Sequence, residues 1–287
     1  MITVDRVFGC DLELPVPFGS DLAELFDRYD QTFSRFREDS ELNAVNRRAG
    51  RPTRVSMLFA HALGVALDAA VETGGLVDPT IGRCLTMLGY DRDFDLLAED
   101  DDDPVAPATA PFEAPIGDYR DIRFDRGERI VWLPAGVRLD LNGVAKALAI
   151  DDALSLIGQG FVSIGGDIAA NRPLEVALPA GGAVRLRHGG LSTSSPLRRS
   201  WRRGGEAHHH LIDPRTGRSS ASPWDYVSVC GADALAADVA AKAAYLAGED
   251  GLAWLEARGL PGRFVGPDGH VTHTSGWREQ VGDAACI

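Results

Sequence analysis

Cysteine and long apolar runs are both scarce in this sequence. The chain has 4 cysteines among 287 residues, and they are scattered without the paired spacing of a zinc site. Such cysteines are typical of reduced thiols in a cytosolic protein. No apolar run reaches the roughly 18 residues that a membrane-spanning helix needs, and residues 1–20 lack the basic start and apolar core of a signal peptide. The sequence therefore predicts a cytoplasmic protein without a transmembrane segment.

Basic residues are also in the minority. The chain carries 29 Lys and Arg against 42 Asp and Glu, which gives a formal net charge of -13. Such a surface repels nucleic acid and anionic membranes, so we expect no nucleic-acid partner. A ligand that bears phosphate would need a locally positive pocket or a metal ion. The apolar share of 45% is ordinary for a globular protein and allows one large domain or two small ones.

Several familiar catalytic motifs are missing as well. The sequence has no phosphate-binding loop of the form G-x-x-x-x-G-K-[ST], and no strand, turn and helix that carry G-x-G-x-x-G. The serines at 192, 194 and 195 lack the context of a nucleophile elbow. A P-loop or protein kinase, an NAD dehydrogenase and a serine hydrolase are therefore poor fits.

Helical and strand patterns are mixed along the chain, which favours an α/β (α+β) fold with largely antiparallel sheets. An acidic and then proline-rich stretch, 95–118, is predicted to be an exposed excursion. Residues 198–206 are predicted to be a basic loop. The predicted helices are 21–36, a short one after Ser40, 56–72, 144–157 and 232–246. The predicted strands are 2–15, 137–140, 161–164 and 226–230, with three short ones between 174 and 194 and hairpins in 121–133 and 263–276.

The stretch Arg138–Asn171 is the first candidate for chemistry. It combines two glycine turns, each next to an acid (Asp140 and Asp167), with Lys146 near the start of a helix, where it could reach a phosphate. Glycine turns at strand ends let a ligand approach the backbone closely. An ordinary βαβ-like unit with surface charges explains the same pattern equally well.

Two further places carry candidate groups. We expect one histidine of His208-His209-His210 to face a pocket, where the ordinary pKa of an imidazole suits a general base. Asp238 and Lys242 are four residues apart on an alanine-rich predicted helix. They form either a simple i,i+4 ion pair or a buried carboxylate that needs a metal or an ammonium as its partner.

Six blocks follow one another along the chain: Phe8-Gly9-Cys10, FSRFREDSELNAVN (33–46), GGLVDPTIG (74–82), DLNGVAKALAID (140–151), SIGGDI (163–168) and HLIDPRTGR (210–218). In this order they resemble the ApbE family of FAD:protein FMN transferases. Phe8-Gly9-Cys10 stands where the family has Met-Gly-Thr. The other five match, in turn, the family patterns F-S-x-[YF]-x-x-D-S-E, G-G-[AL]-F-D-P-T-V-G, D-L-G-G-I-A-K-G, G-G-D-I and H-I-I-D-P-x-T-G.

The resemblance implies a single ApbE-like domain over 1–287, with a T-fold-like architecture of two lobes and a flavin cleft between them. It also implies a transferase that moves FMN from FAD to a Ser or Thr of a partner protein and releases AMP. His210 would be the base that activates the acceptor hydroxyl. The residues that would contact FAD are Phe8, Phe36, Thr86, Met87, Leu88, Asp140, Lys146 and Ile212.

The implied Mg²⁺ site departs from the family pattern. The resemblance assigns it to the carbonyl of Gly143, to Asp238, and to a threonine position that is Lys242 here. Lys242 would either displace the metal with its own charge or leave a weaker metal site. Two other functions therefore stay open: an FAD pyrophosphatase that gives FMN and AMP, and a non-catalytic FAD-binding protein.

Overall fold

The chain forms helices and largely antiparallel sheets. The structure is a computed structural model that describes residues 2–97, 117–278 and 285–286. The helices are α1 (Ser20–Phe33), α2 (Glu41–Arg47), α3 (Met57–Glu72), α4 (Gly82–Met87), α5 (Asn142–Ile157), α6 (Ala234–Leu246) and α7 (Gly251–Glu256). The strands are β1 (Thr3–Val7), β2 (Cys10–Leu14), β3 (Thr53–Arg54), β4 (Arg123–Asp125), β5 (Ile130–Trp132), β6 (Phe161–Ile164), β7 (Asp167–Ala170), β8 (Leu174–Ala177), β9 (Ala183–Leu186), β10 (Gly189–Ser194), β11 (Ser200–Arg203), β12 (Glu206–His209), β13 (Ile212–Asp213), β14 (Arg218–Ser219), β15 (Tyr226–Gly231), β16 (Gly262–Val265), β17 (Val271–His273) and β18 (Ala285–Cys286). The predicted mixed α/β class is confirmed.

The chain divides into two compact units, and each is described by itself. The first unit consists of Met1–Asp27, Lys146–Ser195 and Ala221–Ile287, and the second of Arg28–Ala145 and Pro196–Ser220. That 1–287 works as one domain of two lobes stays a prediction. The predicted excursion 95–118 lies mostly outside the described residues, which end at 97 and resume at 117. In the described part of the chain, no helix is both long and apolar enough to cross a membrane.

The first unit is built on an eight-stranded sheet. Its order is β1-β2-β6-β7-β10-β15-β16-β17, and all of its neighbouring strands are antiparallel. Strands β8 and β9 pair in a small second sheet with β18. This arrangement places the glycine turn before Asp167 between two paired strands, β6 and β7.

Helix α6 lies very close to this sheet because two facing strand residues are glycines. Gly190 on β10 pairs with Gly231 on β15. A Cβ at Gly190 would lie 2.1 Å from the carbonyl oxygen of Asp233, and one at Gly231 would lie 2.5 Å from the backbone nitrogen of Ala237. Only residues without a side chain allow this approach. The alanine-rich face of α6 therefore packs directly on β10 and β15.

The second unit contains α2, α3 and α4 with three small sheets. Strands β3, β5 and β4 form one sheet, and β11-β12 and β13-β14 form two hairpins. The short helix predicted after Ser40 is confirmed, and Ser40 caps it by accepting the N–H of Asn43. Ser56 caps α3 in the same way by accepting the N–H of Phe59. Such caps satisfy a backbone donor that the helix itself leaves without a partner.

Two strand predictions were wrong. Residues 2–15 form a hairpin instead of one strand, because Phe8 and Gly9 both take positive φ (53° and 66°) and turn the chain between β1 and β2. Residues 137–140 form no strand. Their backbone groups bond instead to the side chain of Asn46, to the N–H of Gly82 and to the carbonyl of Pro79, so no ladder is available to them.

The predicted basic loop at 198–206 is also wrong. It forms the hairpin β11-β12, in which Trp201 pairs with His208. Gly204 and Gly205 take positive φ (58° and 83°), which is the conformation of a tight two-residue turn. Helix α1 ends at Phe33, earlier than the predicted 36, and the Ser34 hydroxyl accepts the N–H of Phe36 there.

Candidate active site

A buried cluster of two lysines, two aspartates and a serine lies in the first unit. Asp167 begins β7, Ser192 lies on β10, and Asp238 and Lys242 lie one turn apart on α6, while Lys146 lies on α5. Asp167 and Asp238 are 4% and 3% exposed. Because α6 packs closely on β10, the Asp238 carboxylate of α6 lies next to Ser192 of β10.

Each aspartate has its own lysine. Lys146 Nζ forms an ion pair with Asp167 Oδ2, and Lys242 Nζ forms one with Asp238 Oδ1. The Ser192 hydroxyl lies 2.6 Å from Asp167 Oδ1 and 3.2 Å from Asp238 Oδ1. A hydroxyl carries one hydrogen, so the shorter contact to Asp167 is the hydrogen bond. The four charges cancel within the cluster.

The cluster changes the ionisation of its members in opposite directions. Burial raises the pKa of Asp167, but the nearby charges of Lys146 and Lys242 outweigh it and hold that pKa below its ordinary value. Burial raises the pKa of Asp238, and the charge of Asp167 adds to the rise against the opposing charge of Lys242. Asp167 is therefore the firmly ionised carboxylate of the two.

One oxygen in the cluster has no hydrogen-bond partner. Asp238 Oδ2 is fully buried, and no described residue donates a hydrogen bond to it. Among the described residues, no group of three or more His, Cys, Asp or Glu side chains could hold a metal ion. Lys242 pairs with Oδ1 of Asp238, so an ammonium group already supplies positive charge at the carboxylate where a Mg²⁺ ion would need oxygen ligands.

The second unit brings several predicted flavin contacts together. Leu88 and Ile212 belong to one buried apolar cluster with Tyr90 and Trp201, and Phe36 packs against it. The ring of Phe36 lies 5.6 Å from that of Tyr90. The structure therefore places three residues from separate sequence blocks in one apolar group.

Asp140 joins this group through Arg35, a residue that the sequence analysis did not single out. Arg35 Nε lies 2.8 Å from Asp140 Oδ2 in a buried ion pair that lacks the alignment of a hydrogen bond. Arg35 Nη1 donates to the carbonyl of Tyr90 at 2.8 Å. The guanidinium also lies over the rings of Phe36 and Tyr90, at 4.8 Å and 4.5 Å. Its place in the block FSRFREDSEL, next to Phe36, was the only signal in the sequence.

Thr86 and Met87 end helix α4, just before Leu88. The Thr86 hydroxyl donates to the carbonyl of Gly82 at 3.0 Å, and Met87 is 46% exposed.

Phe8 belongs to the first unit, where its half-buried ring contacts Phe26 edge-on with centroids 5.8 Å apart. Its positive φ is unusual for a bulky residue.

His210 directly follows β12 in the second unit. Its backbone N–H donates to the carbonyl of Arg199 at 3.3 Å, and its Nδ1 lies 3.4 Å from the same oxygen. A carbonyl only accepts, so this contact favours the tautomer with hydrogen on Nδ1. Nε2 then carries the lone pair that a general base needs. The neighbouring His209 uses its Nε2 on the carbonyl of Ser220, and His208 is buried against Trp201.

The predicted site residues are thus divided between the two units. Lys146, Asp238 and Lys242 come together in the first unit, which also holds Phe8. The second unit holds the remaining predicted residues, namely Phe36, Thr86, Met87, Leu88, Asp140, Gly143, His210 and Ile212.

Comparison with known proteins identifies the family. A sequence model described as the ApbE family matches residues 4–264. The chain belongs to the ApbE family. Within this family, a Treponema pallidum protein named FAD:protein FMN transferase is 29% identical over 295 residues, covering 90% of this chain and 79% of that protein. A Rhodobacter capsulatus protein of the same name is 32% identical over 231 residues, covering 73% of this chain and 43% of that protein.

Solved ApbE structures share the fold. The ApbE protein from Thermotoga maritima has a TM-score of 0.82 and 24% identity, covering 96% of this chain and 97% of that one. The flavin transferase ApbE from Vibrio cholerae has a TM-score of 0.76 and 21% identity, with the same coverage. The family predicted from the sequence blocks is confirmed.

Proposed function

We propose that this protein is an FAD:protein FMN transferase. The observation that carries the proposal is the ApbE family match over residues 4–264, together with relatives that are named for this activity. The enzyme moves FMN from FAD to a partner flavoprotein, and we propose a Ser or Thr hydroxyl as the acceptor. A cytoplasmic location, expected from the scattered cysteines, stays a prediction.

The reaction exchanges one phosphorus–oxygen bond for another. The acceptor oxygen attacks the phosphorus of the FMN half of FAD, and a new P–O bond forms. The bond from that phosphorus to the bridging oxygen breaks, and AMP leaves with the bridging oxygen and its electron pair. We assign His210 Nε2 as the base that takes the hydroxyl proton, because the contact of Nδ1 with Arg199 favours that tautomer.

Flavin binding is assigned to the residues that the family resemblance predicts. The apolar cluster with Leu88, Ile212 and Phe36 supports a role in ring contact, because large flat ligands are held mostly by apolar and aromatic side chains. Asp140, oriented by Arg35, and the partly exposed Lys146 supply the polar contacts. Phe8, Thr86 and Met87 complete the proposed set.

We further propose that Lys242 takes the place of Mg²⁺. The ion pair with Asp238 neutralises the carboxylate at which the family resemblance puts the metal. A divalent ion there would have to displace or approach the ammonium of Lys242, at a large electrostatic cost in a buried setting. The positive charge near the substrate then comes from Lys146 and Lys242, and we propose no metal ion at the carbonyl of Gly143.

A direct assay tests the function. The purified protein is incubated with FAD and a Ser/Thr-bearing acceptor peptide, and the products are analysed by mass spectrometry. A gain of one FMN on the peptide is expected. FMN and AMP without labelled peptide would instead show a pyrophosphatase, and unchanged FAD would show a non-catalytic binding protein. His210→Ala should abolish labelling, whereas the exposed His188→Ala serves as a matched control with full labelling.

Calorimetry tests the role of Lys242 without relying on activity. Mg²⁺ is titrated into wild type, Lys242→Thr and Lys242→Met, each with and without FAD. We expect the Thr variant, which gains an oxygen ligand, to bind Mg²⁺ at least about tenfold more tightly than wild type. The Met variant separates loss of charge from gain of a ligand. Mg²⁺ binding by wild type equal to that of the Thr variant would overturn the proposal, and so would no gain in the Thr variant.

A further inference from the structure

Strand β11 directs two side chains of the second unit at the turn that follows helix α4. Successive strand residues alternate in direction, so Trp201 and Arg203 share a face and Arg202 takes the other. Trp201 Nε1 donates to the carbonyl of Leu88 at 2.7 Å, which anchors this face on the turn. Arg203 therefore lies on the side of the hairpin that meets residues 88–90.

Arg203 is held directly over Gly89. A Cβ added at Gly89 would lie 2.6 Å from Cδ and 2.7 Å from Nη1 of Arg203. Gly89 also has φ +98°, a conformation that side chains rarely adopt. The turn thus leaves a space that only glycine provides, and the guanidinium fills it. Such packing fixes a long side chain that would otherwise keep many rotamers.

The positive charge of Arg203 is not balanced within the described part of the chain. Its Nε is buried and has no hydrogen-bond partner. Glu206 is opposite Arg203 on the hairpin but is exposed, and no described carboxylate forms an ion pair with Arg203. By contrast, Arg35 at the same turn is paired with Asp140. A fixed, half-buried guanidinium without an anion is costly.

A third arginine adds to the positive charge at this turn. Arg199 Nη1 donates to the hydroxyl of Tyr90 at 3.3 Å, so the turn is contacted by Arg35, Arg199 and Arg203. Two carboxylates act on Tyr90 through their charge, namely Asp140, which Arg35 already uses, and the exposed Asp93. Asp91, which directly follows the turn, is exposed and forms an ion pair with Arg92. This concentration of positive charge stands in a chain with a net charge of -13.

We infer that Arg203 is a phosphate-binding residue. The planar guanidinium matches phosphate oxygens geometrically and binds them with charge-assisted hydrogen bonds. The turn beneath it follows Thr86–Leu88, three of the proposed flavin contacts, and under the proposed function the phosphate is one of the two in FAD. The same chemistry would also accept a free phosphate or pyrophosphate.

Binding of three probes to matched variants tests this role. FAD, riboflavin and inorganic pyrophosphate are titrated into wild type, Arg203→Met, Arg203→Lys and Arg202→Met, and the melting temperature of each variant is measured. Arg203→Met should weaken FAD and pyrophosphate binding about tenfold or more and leave riboflavin, which has no phosphate, within about twofold of wild type. Arg203→Lys should recover part of the loss. Arg202 is an exposed neighbour whose Nη2 donates to the carbonyl of Gly205, and Arg202→Met should bind all three probes as wild type does.

The outcomes separate this inference from the proposed function. Equal losses for FAD and riboflavin, or no loss for FAD, would overturn the role of Arg203, because it would then only support the turn. Binding of neither FAD nor pyrophosphate by wild type would overturn it as well. Binding of FAD that depends on Arg203, without FMN transfer, would support the inference and refute the transferase. If wild type binds pyrophosphate but not FAD, and this binding depends on Arg203, the phosphate-binding role of Arg203 is supported and its ligand is a phosphate compound other than FAD.

Discussion

Removing Arg35 should destabilise the second unit strongly. Arg35→Met keeps most of the apolar packing but leaves the Asp140 carboxylate, which is 7% exposed, without its cation. Breaking one side of a buried ion pair costs about 3–5 kcal/mol. The lost hydrogen bond to the carbonyl of Tyr90 adds to this cost. We therefore expect the free energy of unfolding to fall by about 3–5 kcal/mol.

A double-mutant cycle measures this interaction. Asp140→Asn keeps an oxygen that can accept the N–H of Asn142, the 2.7 Å bond that Asp140 makes now, while it removes the charge. The combined Arg35→Met and Asp140→Asn protein has no buried charge left at this pair. We expect it to recover about 2 kcal/mol or more relative to the sum of the single losses.

Urea unfolding, followed by tryptophan fluorescence and circular dichroism, provides the assay. Arg37→Met is the matched control, because Arg37 lies two residues away and pairs with Asp30 and Asp39 at the surface; it should unfold like wild type. Additive losses in the cycle would refute the reasoning, since they would mean that Arg35 and Asp140 do not stabilise one another. An Arg35→Met protein as stable as wild type would refute it directly.

Two other groups give predictions about pH and reactivity. Burial raises the pKa of Asp151, which accepts the N–H groups of Ala234 and Leu235, to about 6. Between about pH 4 and 6 the folded state therefore binds a proton at Asp151 more readily than the unfolded chain does. The free energy of unfolding should fall as the pH rises through that window. Asp151→Asn should flatten this fall in urea unfolding measured from pH 4.5 to 7.5, and an unchanged slope would contradict the assignment. Burial raises the pKa of Cys84 to about 11, so iodoacetamide at pH 8 should label Cys84 in the folded protein far more slowly than in urea, and equal rates in mass spectrometry would contradict this.

Local signals in the sequence predicted the local structure well. The short helix after Ser40 could be predicted because its cap depends on a side chain and a backbone group only three residues apart. The error at 137–140 has a different origin, because that segment takes its hydrogen bonds from residues far away in the chain, such as Asn46. The segment 198–206 belongs to a local hairpin, which the side chain of Trp201 joins to the distant Leu88.

The residues of the candidate site also fall into those that nearby sequence predicted and those that depend on distant contacts. Its motif residues, including Asp140, Lys146 and His210, could be predicted because they lie in blocks that resemble a family. Arg35, Ser192 and Arg203 could not, because each owes its place to contacts that span long stretches of chain. Ser192, for example, contacts Asp167 and Asp238, which are 25 and 46 residues away.

The sequence by itself determined the family, the helix caps, the periodic helices and most of the groups that the proposed chemistry uses, since all of these depend on the order of nearby residues. Only the tertiary structure decided which of the charges are buried together. The Asp238–Lys242 pair follows from the spacing within one helix, but the packing of α6 on two glycines buries it beside Ser192, and the fold pairs Asp167 with Lys146. The packing of a tryptophan on a distant turn leaves Arg203 without an ion-pair partner among the described carboxylates. Burial makes these pairings matter, because charges that are removed from water must find a partner in the fold.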